Sequence, residues 1–151
     1  LHFLKKNDST TVIYVTRAII LQDNHILAAM RPETMSLAFK WDLPGGKLEE
    51  DESPEEALVR ETMEEMNVLV RLVEPLPFVD RAFKGKHYRF LPYVCELVSG
   101  TPIAVEHAEV RWQPIEHLFD LDWAPGEELV LRKWAEMDYL RENHRAKVAT
   151  V

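Results

Sequence analysis

The chain has 151 residues, 46% of them hydrophobic, which suits one globular domain over residues 1–151 with a substantial core. Its formal net charge of −8 argues against binding a nucleic-acid polymer, which calls for a basic face. Cys95 is the sole cysteine, so no disulfide framework exists and a reducing compartment, the cytoplasm, is expected; no charged-then-apolar leader and no long apolar run point to secretion or a membrane.

In chain order, residues 1–10 read as a polar tail or edge segment. Thr11 to Leu21, TVIYVTRAIIL, is β-branched and aromatic and is expected as a strand. Gln22-Asp23-Asn24 turns the chain, and His25 to Met30 returns as the hairpin partner. Arg31 to Lys40 is a loop before a short strand at Trp41-Asp42-Leu43, where Trp41 is read as packing. Gly45 and Gly46 then allow a sharp turn and a close approach of backbone to a ligand. Ser53-Pro54-Glu55-Glu56 opens a helix, with Ser53 as N-cap, Pro54 in the first position and Glu56 closing a capping box. Glu55 and Glu56 are assigned to the helix dipole.

Val68 to Leu76 and Pro77 to Asp80 read as strand pieces, and Arg81 to Lys86 as a basic turn. His87 to Val98 is a further strand, in which Pro92 suggests an edge or a bulge and Cys95 is core. Glu106 to Trp112 leads through another strand, and Ile115 to Phe119 forms a helical turn. A final helix starts at Ala124-Pro125-Gly126 and runs to about Asn143, with most of Leu129, Leu131, Trp134, Met137 and Leu140 facing the core. Residues 144–151 read as a frayed tail. Periodicity alone gives a single α/β domain.

The helix after Ser53 carries the chemistry. Glu61, Glu64 and Glu65 fall within an arc of about 100°. Val59, Met63 and Met66 lie roughly opposite, flanked by Leu58 and Thr62. Two carboxylates about 4 Å apart repel by roughly 4 kcal/mol at an effective dielectric near 20. Arg60 is the one cation between Ser53 and Met66. Two readings follow: a hard divalent cation, Mg²⁺ or Mn²⁺, held by carboxylate oxygens, or a solvated acidic face.

The spacing adds a third consideration. From Gly46 the chain runs through five residues to Glu52, seven more to Arg60-Glu61-Thr62, and on to Glu64-Glu65 and Asn67-Val68. This resembles the Nudix box, G-x5-E-x7-R-E-U-x-E-E-x-G-U, where U is a bulky apolar residue. Thr62 replaces an aliphatic residue and Asn67 replaces Gly, while Gly46, Glu52, Arg60, Glu61, Glu64 and Glu65 all match. Asn is the next best residue after Gly for a left-handed helix end, and Thr62 is nearly isosteric with Val but needs a partner for its hydroxyl.

The resemblance implies an α/β/α sandwich around a central mixed sheet. It also implies metal-assisted hydrolysis of a diphosphate linkage, with Mg²⁺ (or Mn²⁺) held by Glu61, Glu64, Glu65, the backbone at Gly45 and Glu106. Glu109 is the rival to Glu106, and His107 a weaker candidate. Arg60 would orient the glutamates through a bidentate pair with Glu52, and Glu64 or Glu106 would be the general base. Arg31, Lys47, Gly46 and Lys86 are the candidate contacts to substrate, with Arg81 and Lys84 beside Lys86 on a hairpin tip.

The WDLPGGK stretch and the Glu-to-Trp spacing most resemble MutT-like (d)NTP pyrophosphatases, implying a small nucleotide substrate. Family members are often dimers, so a homodimer is admitted. Ala124-Pro125-Gly126-Glu127 stands where MutT has an Asn that reads an oxidised guanine. ADP-ribose or nucleotide-sugar hydrolysis is the alternative within the family, and a non-catalytic nucleotide-binding module the alternative outside enzymes. An isomerase of the isopentenyl-diphosphate type would need a catalytic loop cysteine, and Cys95 lies in an expected strand.

Overall fold

The computed structural model describes residues 11–149, with side chains described through Glu142. The expected tail at 1–10 lies outside these residues. Seven strands and two helices follow in the order β1 (Val12–Gln22), β2 (His25–Met30), β3 (Trp41–Asp42), α1 (Pro54–Met66), β4 (Leu69–Pro75), β5 (Val79–Phe83), β6 (Lys86–Ser99), β7 (Glu109–Pro114) and α2 (Pro125–Ala149), with a 3₁₀ turn at Ile115–Asp120. The strands form one mixed sheet with the path β3-β2-β1-β6-β4; β5 also pairs with β6, and β7 with β2. β1 runs parallel to β6 from Val12↔His87 to Ile20↔Cys95, then pairs antiparallel with β2 only at its end.

Period-two alternation along the central strands builds a core on each face. Val15, Ile19, Ile26, Ala28, Phe90 and Val94 pack with Val130, Leu131 and Trp134 of α2. Ala18, Ile20, Leu27, Ala29, Tyr93 and Cys95 pack with Leu58 and Met66 of α1. Two cores on opposite faces make the α/β/α sandwich. No helix among the described residues is long and apolar enough to cross a membrane.

Four expectations are corrected. Pro92 does not lie on an edge: β6 is flanked by β1 on one side and by β5 and β4 on the other, and the register shift near it falls between Leu72 and Glu74 of β4. Pairing with β5 reaches Phe90 and pairing with β4 begins at Tyr93, so the N–H that proline lacks falls where one partner gives way to the next. Among the described residues of α2, Gly126, Glu127, Val130, Leu131 and Trp134 are buried, whereas Leu129 and Leu140 are exposed. Residues 144–149 continue α2 rather than forming a tail.

The fourth correction concerns α1. Its buried face is Ala57, Leu58, Thr62, Glu65 and Met66, and Met63 is exposed. Glu65 lies about 20° from Leu58 around the helix, so it turns inward with the core residues. The three glutamates therefore do not share one solvated face. Both ends of α1 follow the local chemistry: Ser53 and Glu56 form the reciprocal capping box, and Asn67 adopts φ 58°, ψ 41° with its N–H donating to Met63 O. The Thr62 hydroxyl donates to Val59 O at 3.1 Å.

Candidate active site

Three segments converge at the site. The first is Pro44-Gly45-Gly46, pinned to β1: Thr16 N–H donates to Gly46 O and Ala18 N–H to Pro44 O, each at 2.8 Å. Gly45 has φ +137°, and a Cβ there would lie 2.1 Å from Thr16 O. A Cβ at Gly46 would lie 2.5 Å from the Glu61 carboxyl carbon, so the missing side chain is the space Glu61 occupies.

The second is α1 itself. Arg60 Nε and Nη2 donate to the two oxygens of Glu52 at 2.7 and 2.9 Å, the bidentate pair expected for them. Arg60 Nη1 reaches Glu61 at 3.0 Å and Glu64 at 3.2 Å, and Nη2 also donates to Lys47 O at 3.3 Å. The Arg60 hydrogen bonds hold the Glu52 carboxyl down at about 2. Glu65 Oε1 accepts from Gly45 N–H at 2.9 Å, yet burial pushes its carboxyl up to about 8, with Glu61 and Glu106 adding to the shift. Burial raises the Glu61 carboxyl too, against the pull of Arg60.

The third is the segment before β7. Ile103 N–H donates to Met66 O and Val105 N–H to Glu65 O, so this stretch runs along carbonyls at the end of α1. Glu106, exposed, is thereby placed where its charge acts on Glu61 and Glu65. His107 is buried, with Nε2 3.9 Å from Glu65 Oε2. Glu109 is instead paired with Arg111 at 2.9 Å.

Among the described residues, no three His, Cys, Asp or Glu side chains already converge as a metal-holding group. Arg60 occupies Glu61 and Glu64, and Gly45 occupies one oxygen of Glu65. Nevertheless, the donors are all carboxylate oxygens, two of them hindered from ionising by burial and mutual repulsion, and Gly46 leaves room against Glu61. That chemistry fits a hard divalent cation, which would offset the burial and repulsion that raise both carboxyls.

A cleft of about 290 Å³ opens from this corner. It is lined by Gly45, Gly46, Lys47 and Glu65, by Met35, Ser36 and Leu37 of the loop after β2, by Arg81, Phe83, Tyr88 and Phe90 of the β5–β6 hairpin, and by Ala124, Gly126 and Glu127 at the start of α2. Arg31 lines it too, and three of its five guanidinium N–H groups are directed to Ser36 O, Ser36 Oγ and Asp42 Oδ2, which ties it to the loop. Lys86 is exposed and is not part of the lining, where Arg81 takes the place expected for it.

Sequence reasoning missed Arg17, Asp42 and Glu127. Arg17 shares the inward face of β1 with Val15 and Ile19; its Nε is bonded to Glu127, and its guanidinium lies 5.5 Å from the Phe90 ring centre. Burial raises the Glu127 carboxyl while Arg17 pulls it down. An Arg inside an otherwise apolar strand was the legible signal; Glu127 is masked as an ordinary acidic first-turn residue.

The Nudix-domain family model matches residues 13–134. The chain belongs to the Nudix family. As a Nudix hydrolase it acts on phosphorus-containing anhydrides. It is 34% identical over 116 residues to the CTP pyrophosphohydrolase of Escherichia coli (strain K12), covering 77% of this chain and 86% of that protein. To the 8-oxo-dGTP diphosphatase of the same strain it is 29% identical over 112 residues, covering 74% and 87%. Among solved structures, the MutT Nudix hydrolase from Burkholderia pseudomallei superposes with a TM-score of 0.72 at 27% identity, over 81% of this chain and 97% of that one.

Proposed function

We propose that this Nudix hydrolase cleaves a nucleoside triphosphate, ribo- or deoxyribo-, to the monophosphate and pyrophosphate, with Mg²⁺ at the α1 carboxylates. The observation that carries the reading is the corner where Glu61, held by Arg60, sits in the space left by Gly46, beside Glu65 on the Gly45 N–H. Named relatives that act on CTP and 8-oxo-dGTP support the triphosphate class.

Glu61, Glu64, Glu65, the Gly45 backbone and Glu106 would hold the metal, which when bound screens phosphate charge and makes water a better nucleophile. The chain's own residues do the rest. Arg60, fixed by its fork to Glu52, orients Glu61 and Glu64. Gly45 and Gly46 let the backbone approach the polyphosphate, and Lys47 supplies a point charge at the cleft rim. Arg81 is a further cation there. Glu64 and Glu106, both exposed, are the carboxylates that can take the water's proton. A nucleotide substrate and one buried thiol suit the cytoplasm.

Product analysis at saturating Mg²⁺ over common and oxidised (d)NTPs, ADP-ribose, nucleotide sugars and diadenosine polyphosphates tests the assignment. Monophosphate plus pyrophosphate from a triphosphate is the expected result. Turnover confined to ADP-ribose or nucleotide sugars would overturn the substrate class.

A further inference from the structure

Among the described residues, two buried polar side-chain atoms lack a hydrogen-bond partner, Asp42 Oδ1 and His107 Nδ1. Both residues line the cleft. A buried acceptor without a donor costs about 1–3 kcal/mol, more when charged, so a cleft that keeps one is matched to a ligand that donates there.

The surroundings identify the kind of donor. Asp42 Oδ2 accepts from Arg31 Nη1 at 2.7 Å, which fixes the carboxylate and neutralises it. Glu127 is likewise neutralised by Arg17. This part of the cleft thus has guanidinium partners for its carboxylates, whereas Glu65 accepts from the Gly45 N–H rather than from a guanidinium, and it offers a cation little net attraction. A neutral N–H donor fits it better. The flanking Tyr88 and Phe90 rings provide apolar surface for a flat group. A nucleobase amine combines these properties: cytosine, adenine and guanine each present an exocyclic NH₂, where uracil and hypoxanthine present an oxygen or a hydrogen.

We propose that Asp42 is a specificity-determining residue that accepts a hydrogen bond from the exocyclic amine of the substrate's base, so that the enzyme prefers amine-bearing nucleotides to their oxo or des-amino counterparts. The proposal rests on the nucleotide reading above and extends it to the base. His107 Nδ1 is the second polar atom available to the same base. An oxo base would set its oxygen against the unpartnered carboxylate oxygen, and a site built around a hydrogen bond rejects the analogue lacking it.

The test pairs substrates that differ at the amine: CTP with UTP, ATP with ITP, and GTP with ITP, each by kcat/KM at saturating Mg²⁺. The matching monophosphates are titrated calorimetrically without metal. The amine-bearing member of at least one pair is preferred by about 10- to 100-fold, and the pair that shows it identifies the amine. Asp42→Asn keeps an oxygen for Arg31 and turns an NH₂ toward the cleft, so it brings that ratio to unity or below. Equal handling within all three pairs by the wild type overturns the proposal while leaving the hydrolase reading intact, as does an unchanged ratio in a folded Asp42→Asn protein. Selective binding of an amine-bearing monophosphate with no triphosphate cleaved upholds it and sinks the triphosphate reading.

Discussion

Arg60 and Glu52 form a two-pronged ion pair, 2.7 and 2.9 Å long, whose remaining guanidinium nitrogen reaches Glu61 and Glu64. One partly buried loop carboxylate thereby sets the direction of the helix carboxylates. The arrangement needs a planar donor with three nitrogens. Lysine keeps the charge but cannot span Glu52 and Glu61 together. Arg60→Lys should therefore lower kcat by about 10- to 100-fold, as loss of a ligand-orienting partner does, with little change in melting temperature. A variant with full turnover would show that the fork is ornamental.

The two glycines of the turn make opposite demands. At Gly46 an added Cβ meets the Glu61 carboxylate, a movable side chain, at 2.5–2.7 Å. Gly46→Ala should leave the fold largely intact and cut activity, because Glu61 must leave its position. At Gly45 the added Cβ meets backbone, Thr16 O at 2.1 Å, at a φ of +137°. Gly45→Ala should lower stability by more than about 1–3 kcal/mol, the scale of a strained backbone residue. Thermal melts beside activity assays separate the two effects, and equal melting temperatures for both variants would contradict them.

Burial holds the Glu65 carboxyl near 8, against 4.5 for an unperturbed glutamate. A folded-state pKa raised above the unfolded value means the native protein binds the proton more tightly. The stabilisation is complete below about 4.5 and is lost as pH rises through about 8. In chelator, the wild type should therefore become less stable from pH 5 to pH 8, with Glu65 contributing at most about 1.4 kcal/mol per pH unit. Glu65→Gln should reduce that slope, leaving the contributions of Glu61 and Glu127, whose carboxyls are raised in the same direction. Because a cation binds the ionised form, stabilisation by Mg²⁺ should grow over the same range. Urea denaturation at each pH reads both; a slope unchanged in the variant would locate the titration elsewhere.

Local chemistry was legible in the sequence. The capping box of Ser53 and Glu56, the left-handed end at Asn67 and the Arg60–Glu52 pair all depend on residues within a short stretch, and each has the expected geometry. Long-range pairing was not. Pro92 reads as an edge residue until β6 is seen to change partners beside it, and β1 joins β6 in parallel across most of the chain. The α2 face was misread because its buried stripe contains a charged residue, Glu127, whose partner Arg17 lies on a distant strand. Glu65 was grouped with Glu61 and Glu64 on one polar side, although its position next to Leu58 on the helix turns it inward. The cleft itself joins segments spread from β1 to the start of α2, and no local pattern marks Asp42 as its unpartnered acceptor.

Hydrolysis by this protein should depend on the α1 carboxylates. The most direct test is turnover of the preferred triphosphate by Glu64→Gln at saturating Mg²⁺, beside circular dichroism and melting of the same sample. Glu64 is exposed and bonded within α1 only to Arg60, so its amide should leave the fold unchanged. The expected result is a loss of at least about 100-fold in kcat, on the scale of a lost general base. Near-wild-type turnover by a folded Glu64→Gln protein would contradict it.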